Sequence, residues 1–225
     1  AGRQPSLQHR GVRPPVPPQK DGVGSMHISE GMLSSQMLTA GWAIAGVGTA
    51  IGLKKLDADK IVRVAFFSSA FFLASLINVP IPPSSTHLSL IAPMGLVLGW
   101  SAFPAVMVAL VLQALLFQFG GLVVLGVNTV DVAVPALAAY LLFAAPIRRS
   151  SGRVVLAFLA GFLAVMLCAL GVEIFLRGTD TNLSVIANTV FLAHIPFALI
   201  EGAITAFMVA YMKRAAPDLL MGVER

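Results

Sequence analysis

Apolar residues along this chain come in long runs separated by short polar breaks, at a spacing that suits a lipid bilayer. From Ser34 onward the apolar segments fall at 34–53, 61–79, 88–99, 103–124, 128–145, 154–176 and 186–212. A helix needs roughly 20 residues to cross a hydrocarbon core of about 30 Å, so each segment is read as a membrane helix. The third is short, because only about a dozen residues separate His87 from the break at Gly99-Trp100-Ser101. It must tilt strongly, or re-enter the membrane under the cover of neighbouring helices. The fold class expected is an all-α polytopic membrane bundle of about seven helices, with six as the alternative count. Residues 1–25 are rich in Pro, Gly and Arg and contain no apolar run, which predicts a disordered tail rather than a signal peptide or a membrane helix. That tail begins without Met and stops just before Met26, so Met26 is expected as the natural start and 26–225 as a single membrane domain.

Composition sharpens this reading. With 57% apolar and 11% charged residues and a mean hydropathy of +0.88, too few charges exist to cover a water-soluble surface. A cytosolic enzyme, a secreted disulfide scaffold and a nucleic-acid binder are set aside. The net charge of +5 is mostly a tail effect, because Arg3, Arg10, Arg13 and Lys20 meet only Asp21 there. Cys168 is the one cysteine of the chain, so any metal must be held by nitrogen, oxygen or Met sulfur. The Met residues are read as core filling.

The remaining charges orient the bundle. Lys54, Lys55, Lys60 and Arg63 follow the first span, Arg148, Arg149 and Arg153 lie between the fifth and sixth, and Lys213, Arg214 and Arg225 follow the last. The positive-inside rule makes all three places cytoplasmic. They share one side only if seven spans follow an N-terminus of the body that lies outside, which leaves the C-terminus cytoplasmic. Two helices also carry stripes of small residues, Gly41, Ala45, Gly48 and Gly52 on one, and Ala157, Gly161, Ala164, Cys168 and Gly171 on the other. Such stripes either pack helices of one bundle closely or receive a partner's helix.

With that topology three polar features fall on the outer side: Met26 to Gly31, the loop Pro80 to His87, and Gly120 to Asn128. Two histidines on one membrane face, His27 and His87, can share a metal, since neutral imidazole suits Ni, Cu, Co and Zn. If Met26 is the N-terminus, its amine, the His27 amide nitrogen and His27 Nδ1 close fused chelate rings, and His87 takes the fourth in-plane position. Such an N4 square favours Ni(II) or Cu(II), although an imposed geometry can reorder affinities. Ligation needs a deprotonated amide and neutral rings, so affinity should fall with acid. The 25-residue tail would mask the amine.

The segment MHISEGML, the Pro-Ile-Pro loop ending in His87, FQFGGLVVLGVNT (117–129) and HIPFALIEGAIT (194–205) together resemble the cobalt/nickel substrate-specificity component of energy-coupling-factor transporters, the CbiM/NikM family. The likeness covers residues 26 to about 213. It implies a seven-helix membrane protein carrying Co(II) or Ni(II) as transported substrate, held near the outer face by Met26, His27 and His87, with no organic cofactor. It implies as partners a scaffold membrane (T) component, ATP-binding-cassette ATPase subunits and a small accessory membrane protein, in the cell membrane of a bacterium or archaeon. No GxxxxGK[ST] loop occurs in the chain, so ATP hydrolysis would fall to those partners. Two departures stand out: the loop before His87 reads PPSST and is shorter than a common Gly-rich version, and Asp131 stands where an apolar residue is expected.

Around the site, Glu30 is placed to orient the His27 ring or to neutralise the cation, or else is a first-turn acid stabilised by the helix dipole. Asn128 and Asp131 are expected to share a helical face and look into the site. His194 is expected as a supporting or gating group, and Glu201, about two turns deeper, in a structural network or facing a partner. Glu173 and Arg177 read as an ordinary helix pair. Two other classes remain: an intramembrane serine hydrolase using Ser84 or Ser85 with His194, which lacks a nucleophile elbow, and an ion-coupled secondary carrier using Asp131, Glu173 and Glu201.

Overall fold

The computed structural model describes residues 28, 31, 33–81, 84–149, 151–179 and 184–216. Helix α1 (Ser35–Lys54) is capped by Ser34, whose Oγ accepts from the Met37 N–H at 3.4 Å. Helix α2 (Ala58–Ala74) is capped by Asp57, which accepts from the Lys60 N–H at 2.9 Å and pairs with its ammonium at 2.7 Å. A hairpin of β1 (Asn78–Ile81) and β2 (Ser84–His87) follows, pairing Asn78 with His87 and Val79 with Thr86. Then come α3 (Ile91–Leu98), a 3-10 turn (Gly99–Ser101) and α4 (Ala102–Phe117). The chain continues as α5 (Leu125–Ala139), a π turn (Tyr140–Ala144), α6 (Ala145–Arg149), α7 (Arg153–Thr179) and α8 (Ser184–Ala215).

Among the described residues five stretches are long and apolar enough to cross a membrane: Ser35–Lys54, Ile91–Phe117, Leu125–Arg149, Arg153–Phe175 and Phe191–Ala215. The chain is therefore a multi-pass, all-α membrane protein, with the small hairpin as its β element among the described residues. In lipid each backbone polar group must be satisfied internally, which helices achieve by themselves. Side chains such as Val47, Val62, Phe66, Leu115, Leu141 and Phe207 stand outward, as a bilayer solvent requires.

The stretch 91–117 is not one straight rod. Gly99 has φ 55° and ψ −123°, a conformation that only glycine adopts without strain, and the chain turns back there. Gly95 and Gly99 of α3 lie against Ala136 and Tyr140, so α3 runs parallel to α5. Helix α4 instead runs antiparallel to α1, with Phe103 and Pro104 against Gly48 and Gly52 and Met107 near Thr49. The third apolar segment is thus a helix of eight residues, all buried among its neighbours, in line with its short length. The same pairings bring the ends of α1 and α3 together: the Lys55 ammonium lies 5.7 Å from the Trp100 ring centroid. At the opposite end the Trp42 indole donates to the Val123 carbonyl at 3.0 Å.

The small-residue stripes serve the bundle itself and not a partner. Gly41, Ala45, Gly48 and Gly52 are the buried residues of α1, and Gly41, Gly48 and Gly52 abut Val127, Phe103 and Pro104. On α7, Gly161 lies against Gly202 and Thr205 of α8, and Gly171 against Asp131 of α5. The docking alternative for these faces is corrected accordingly, because their small side chains are already covered. The closest approach is at Gly95, where an added Cβ would overlap the Ala136 carbonyl. Gly95→Ala should cost about 1–3 kcal/mol and lower the melting temperature in detergent. Gly46→Ala, with nothing within 4 Å of the new methyl, should leave it unchanged or raise it slightly.

Candidate metal centre

Two polar layers lie in the bundle near the starts of α3 and α5. Asn128, in the first turn of α5 and 4% exposed, forms the outer one with the N-terminal segment. Its Oδ1 accepts from the Ile28 N–H at 3.1 Å and its Nδ2 donates to the Ile28 carbonyl at 3.1 Å. One side-chain amide thus stands in for a neighbouring strand and satisfies both backbone groups of a buried residue, as an apolar interior demands. Ile28 is itself 3% exposed, so the chain enters the protein there and does not merely pass over it.

His87 ends β2 and is buried. Its ring meets Phe71 edge to face, with centroids 6.2 Å apart, and its Nδ1 lies 3.2 Å from the Leu88 carbonyl oxygen. A carbonyl only accepts, so this bond places the proton on Nδ1, the tautomer in which Nε2 is the acceptor atom of the ring. Burial, and to a smaller degree the nearby His194, push the His87 pKa down from 6.5 to about 4, against a raising effect of the Leu88 bond. The ring is therefore neutral at physiological pH. Continuing the register of α3 on α5 towards the N-termini, from Gly99 on Tyr140 through Gly95 on Ala136, brings His87 to the same end of the bundle as Asn128. His194 of α8 is also buried and within electrostatic reach of His87.

The deeper layer fixes the His87 loop. Glu201 of α8, 1% exposed, accepts on Oε1 from the Ser89 N–H, from the Ser89 hydroxyl at 2.9 Å and from the Leu90 N–H at 3.1 Å. Leu90 precedes α3 in the left-handed conformation (φ 52°) and has no cap of its own. The Glu201 carboxylate takes that role from another helix, a negative charge at the positive end of the α3 dipole. The expected structural role of Glu201 thereby acquires a partner, the backbone two and three residues after His87.

Asp131 belongs to this deeper layer. Three residues advance a helix by about 300°, so its side chain swings some 60° from Asn128 and meets α7. There the Cys168 thiol donates to Oδ2 at 3.1 Å, and Oδ1 occupies the notch left by Gly171. Asn128 and Asp131, expected to look into one site, point apart in the structure, Asn128 to the Ile28 backbone and Asp131 across to α7. Glu173 pairs with Arg177 at 2.7 Å as expected.

Met26, His27 and Glu30 lie outside the described residues, as do residues 1–25. Among the described residues no three His, Cys, Asp or Glu side chains converge to hold a metal ion. The contributions that sequence reasoning missed are the Ile28 backbone, the Leu88 carbonyl that sets the His87 tautomer, and Phe71. None carries a sequence signal, because backbone groups and a ring packed on histidine look like any other core.

Replacing Asn128 tests the clamp. Asn128→Ala leaves both Ile28 backbone groups unpaired, and Asn128→Asp keeps an acceptor but has no donor for the Ile28 carbonyl. If the site holds the Ni(II) or Co(II) that the sequence resemblance implies, both should lower affinity for it by about 10–100-fold, the usual cost of losing a group that orients metal ligands. Calorimetric titration in detergent measures it.

Residues 27–219 match the family described as the cobalt uptake substrate-specific transmembrane region, CbiM. A Haemophilus influenzae protein named for metal transport is 36% identical over 205 residues, covering 88% of this chain and 98% of that protein. The cobalt transport protein CbiM of Geobacter sulfurreducens is 31% identical over 223 residues, covering 88% of this chain and 63% of that protein. The fused nickel transport protein NikMN of Rhodobacter capsulatus is 32% identical over 222 residues, covering 87% and 64%. This chain thus spans less than two thirds of the length of these last two relatives. A crystal structure of a transition metal transporter superposes with a TM-score of 0.75 at 26% identity, covering 84% of this chain and 92% of that one.

Proposed function

Since this chain belongs to the CbiM family of cobalt uptake transmembrane proteins, we propose that it is the metal-capturing subunit of an ATP-driven importer of Co(II) or Ni(II). The metal is the cargo. The Met26 amine, the His27 amide and Nδ1 nitrogens and the His87 Nε2 hold it in a square of nitrogens, with Glu30 and His194 as supporting groups. The observation that carries this reading is the Asn128 clamp on Ile28. His27 is bonded to Ile28, and consecutive Cα atoms are about 3.8 Å apart, so a clamp on Ile28 limits how far His27 can stray from the end of the bundle that holds His87.

In this reading the chain crosses the membrane seven times, α3 being the short third passage. The ends marked by Lys54, Arg149, Arg153 and Lys213 face the cytoplasm and the His87 end faces outward. Such a subunit performs no chemistry on its substrate. A scaffold membrane protein and ATPase subunits, with a small accessory membrane protein, would drive release, in the cell membrane of a bacterium or archaeon (the inner membrane if Gram-negative). Ligand roles for Asp131, Glu173 and Glu201 in a carrier gain no support, since each is engaged by a neighbouring side chain or helix start.

The test is titration of detergent-purified protein with Ni(II) and Co(II), once with residues 1–25 present and once processed so that Met26 carries a free amine. One ion per chain bound by the processed form, with affinity falling as pH drops and amine and amide regain protons, is the expected result. Equal binding by both forms would remove the Met26 amine from the ligand set.

A further inference from the structure

At the Lys54 end of the bundle two cavities meet at one tryptophan. The first, about 630 Å³, opens between the α1–α2 turn and the junctions at Gly99 and Tyr140, and its wall holds three bases, Lys54, Lys55 and Lys60, and one acid, Asp57, beside Trp100 and Tyr140. The second, about 430 Å³, is a groove along α1 and α5 lined by Ala43, Ile44, Val47, Phe103 and Leu137, with Trp100 again in its wall. The first is basic and polar; the second carries no charged residue. Lys60 is answered by Asp57 at 2.7 Å, whereas Lys54 and Lys55 make no ion pair among the described residues. Lys55 lies over the Trp100 ring, at the boundary of the two spaces.

The dimensions fit one leaflet. From Ala43 to Lys54 the helix rises about 16 Å, half of a hydrocarbon core of about 30 Å. A positively charged chamber at the end of an apolar groove of that length has the charge order and the reach of a phospholipid. We propose that this crevice binds one anionic phospholipid, with its phosphate between Lys54 and Lys55 and an acyl chain lying along α1 and α5. Trp100 marks the headgroup level, where indole rings are favoured. Basic pockets between membrane helices are a recognised means of holding acidic headgroups.

The protein is reconstituted in vesicles of equimolar phosphatidylglycerol and phosphatidylcholine, extracted in mild detergent and weighed by native mass spectrometry. One retained phosphatidylglycerol per chain, favoured about tenfold or more over phosphatidylcholine, is the expected result. Lys54→Gln with Lys55→Gln should abolish that preference. Val47→Trp, at a position 62% exposed and so tolerated by the fold, should fill the groove and reduce retention of both lipids. Inorganic phosphate and chain-free glycerophosphoglycerol should not displace the lipid. Equal retention of the two lipids, indifference to either variant, or displacement by inorganic phosphate would overturn the proposal. So would a photo-crosslinker at position 47 that reacts with a protein partner and never with lipid.

Discussion

His87→Ala is expected to reduce Ni(II) and Co(II) binding by more than about 100-fold, beyond the 10–100-fold that follows loss of a group merely supporting a ligand. The ring is buried with its Nδ1 committed to the Leu88 carbonyl, and among the described residues no trio of metal-binding side chains forms that could take its place. Calorimetric titration reads the loss, and retention of full affinity would remove His87 from the site. A melting curve without metal separates binding from folding, and here the sign is informative. Burial holds the His87 pKa at about 4 against 6.5, so an unfolded chain takes up this proton before the folded one does. The folded protein should lose stability as pH falls from about 6.5 towards 4, and His87→Ala should remove that part of the loss.

Glu201→Ala is expected to damage both fold and site. It strips the caps from the Ser89 and Leu90 N–H groups and leaves them buried without acceptors, at about 1–3 kcal/mol each. It also withdraws support from a left-handed Leu90, itself about 1–2 kcal/mol above an ordinary conformation. The melting temperature should fall, and metal affinity should fall about 10–100-fold because the loop carrying His87 is no longer anchored. Glu201→Gln keeps an acceptor oxygen and should recover most of both. If Glu201→Ala unfolds the protein, the Gln variant still decides: loss of affinity with unchanged melting would make Glu201 more than an anchor.

Much of this was legible in the sequence. The apolar spacing located α1, α2, α4, α5, α7 and α8, because long apolar runs have one stable form in lipid. It does not mark where that form ends: α1, α7 and α8 are placed to within about three residues, whereas the ends of α2, α4 and α5 are set about five to seven residues too late. The short third segment was legible through Gly99, whose lack of a side chain permits the turn. Glu173 with Arg177 was legible as a helix pair. The β hairpin was not, since Asn78 to His87 reads as a Pro-rich loop and pairing depends on how α2 and α3 present its ends. The target of Glu201 was not legible either: Ser89 is more than a hundred residues away in sequence, and which helix start a buried acid reaches is decided by packing. Asp131 shows the same limit, for its spacing from Asn128 left a rotation of about 60° that sufficed to deliver it to Cys168.

The eight buried residues of α3, Ile91 to Leu98, are all apolar and lie beneath the layer that anchors His87. They make a stopper about 12 Å deep. A divalent ion stripped of water meets no oxygen or nitrogen side chain along it, and the desolvation penalty of several kcal/mol per charge is not repaid. The molecule is built as a cup and not as a pipe. On the proposed function, metal entering from the His87 end would be held above this apolar floor without a continuous path across the membrane, and emptying the cup on the far side would demand work from partner subunits, by tilting it or drawing its floor aside.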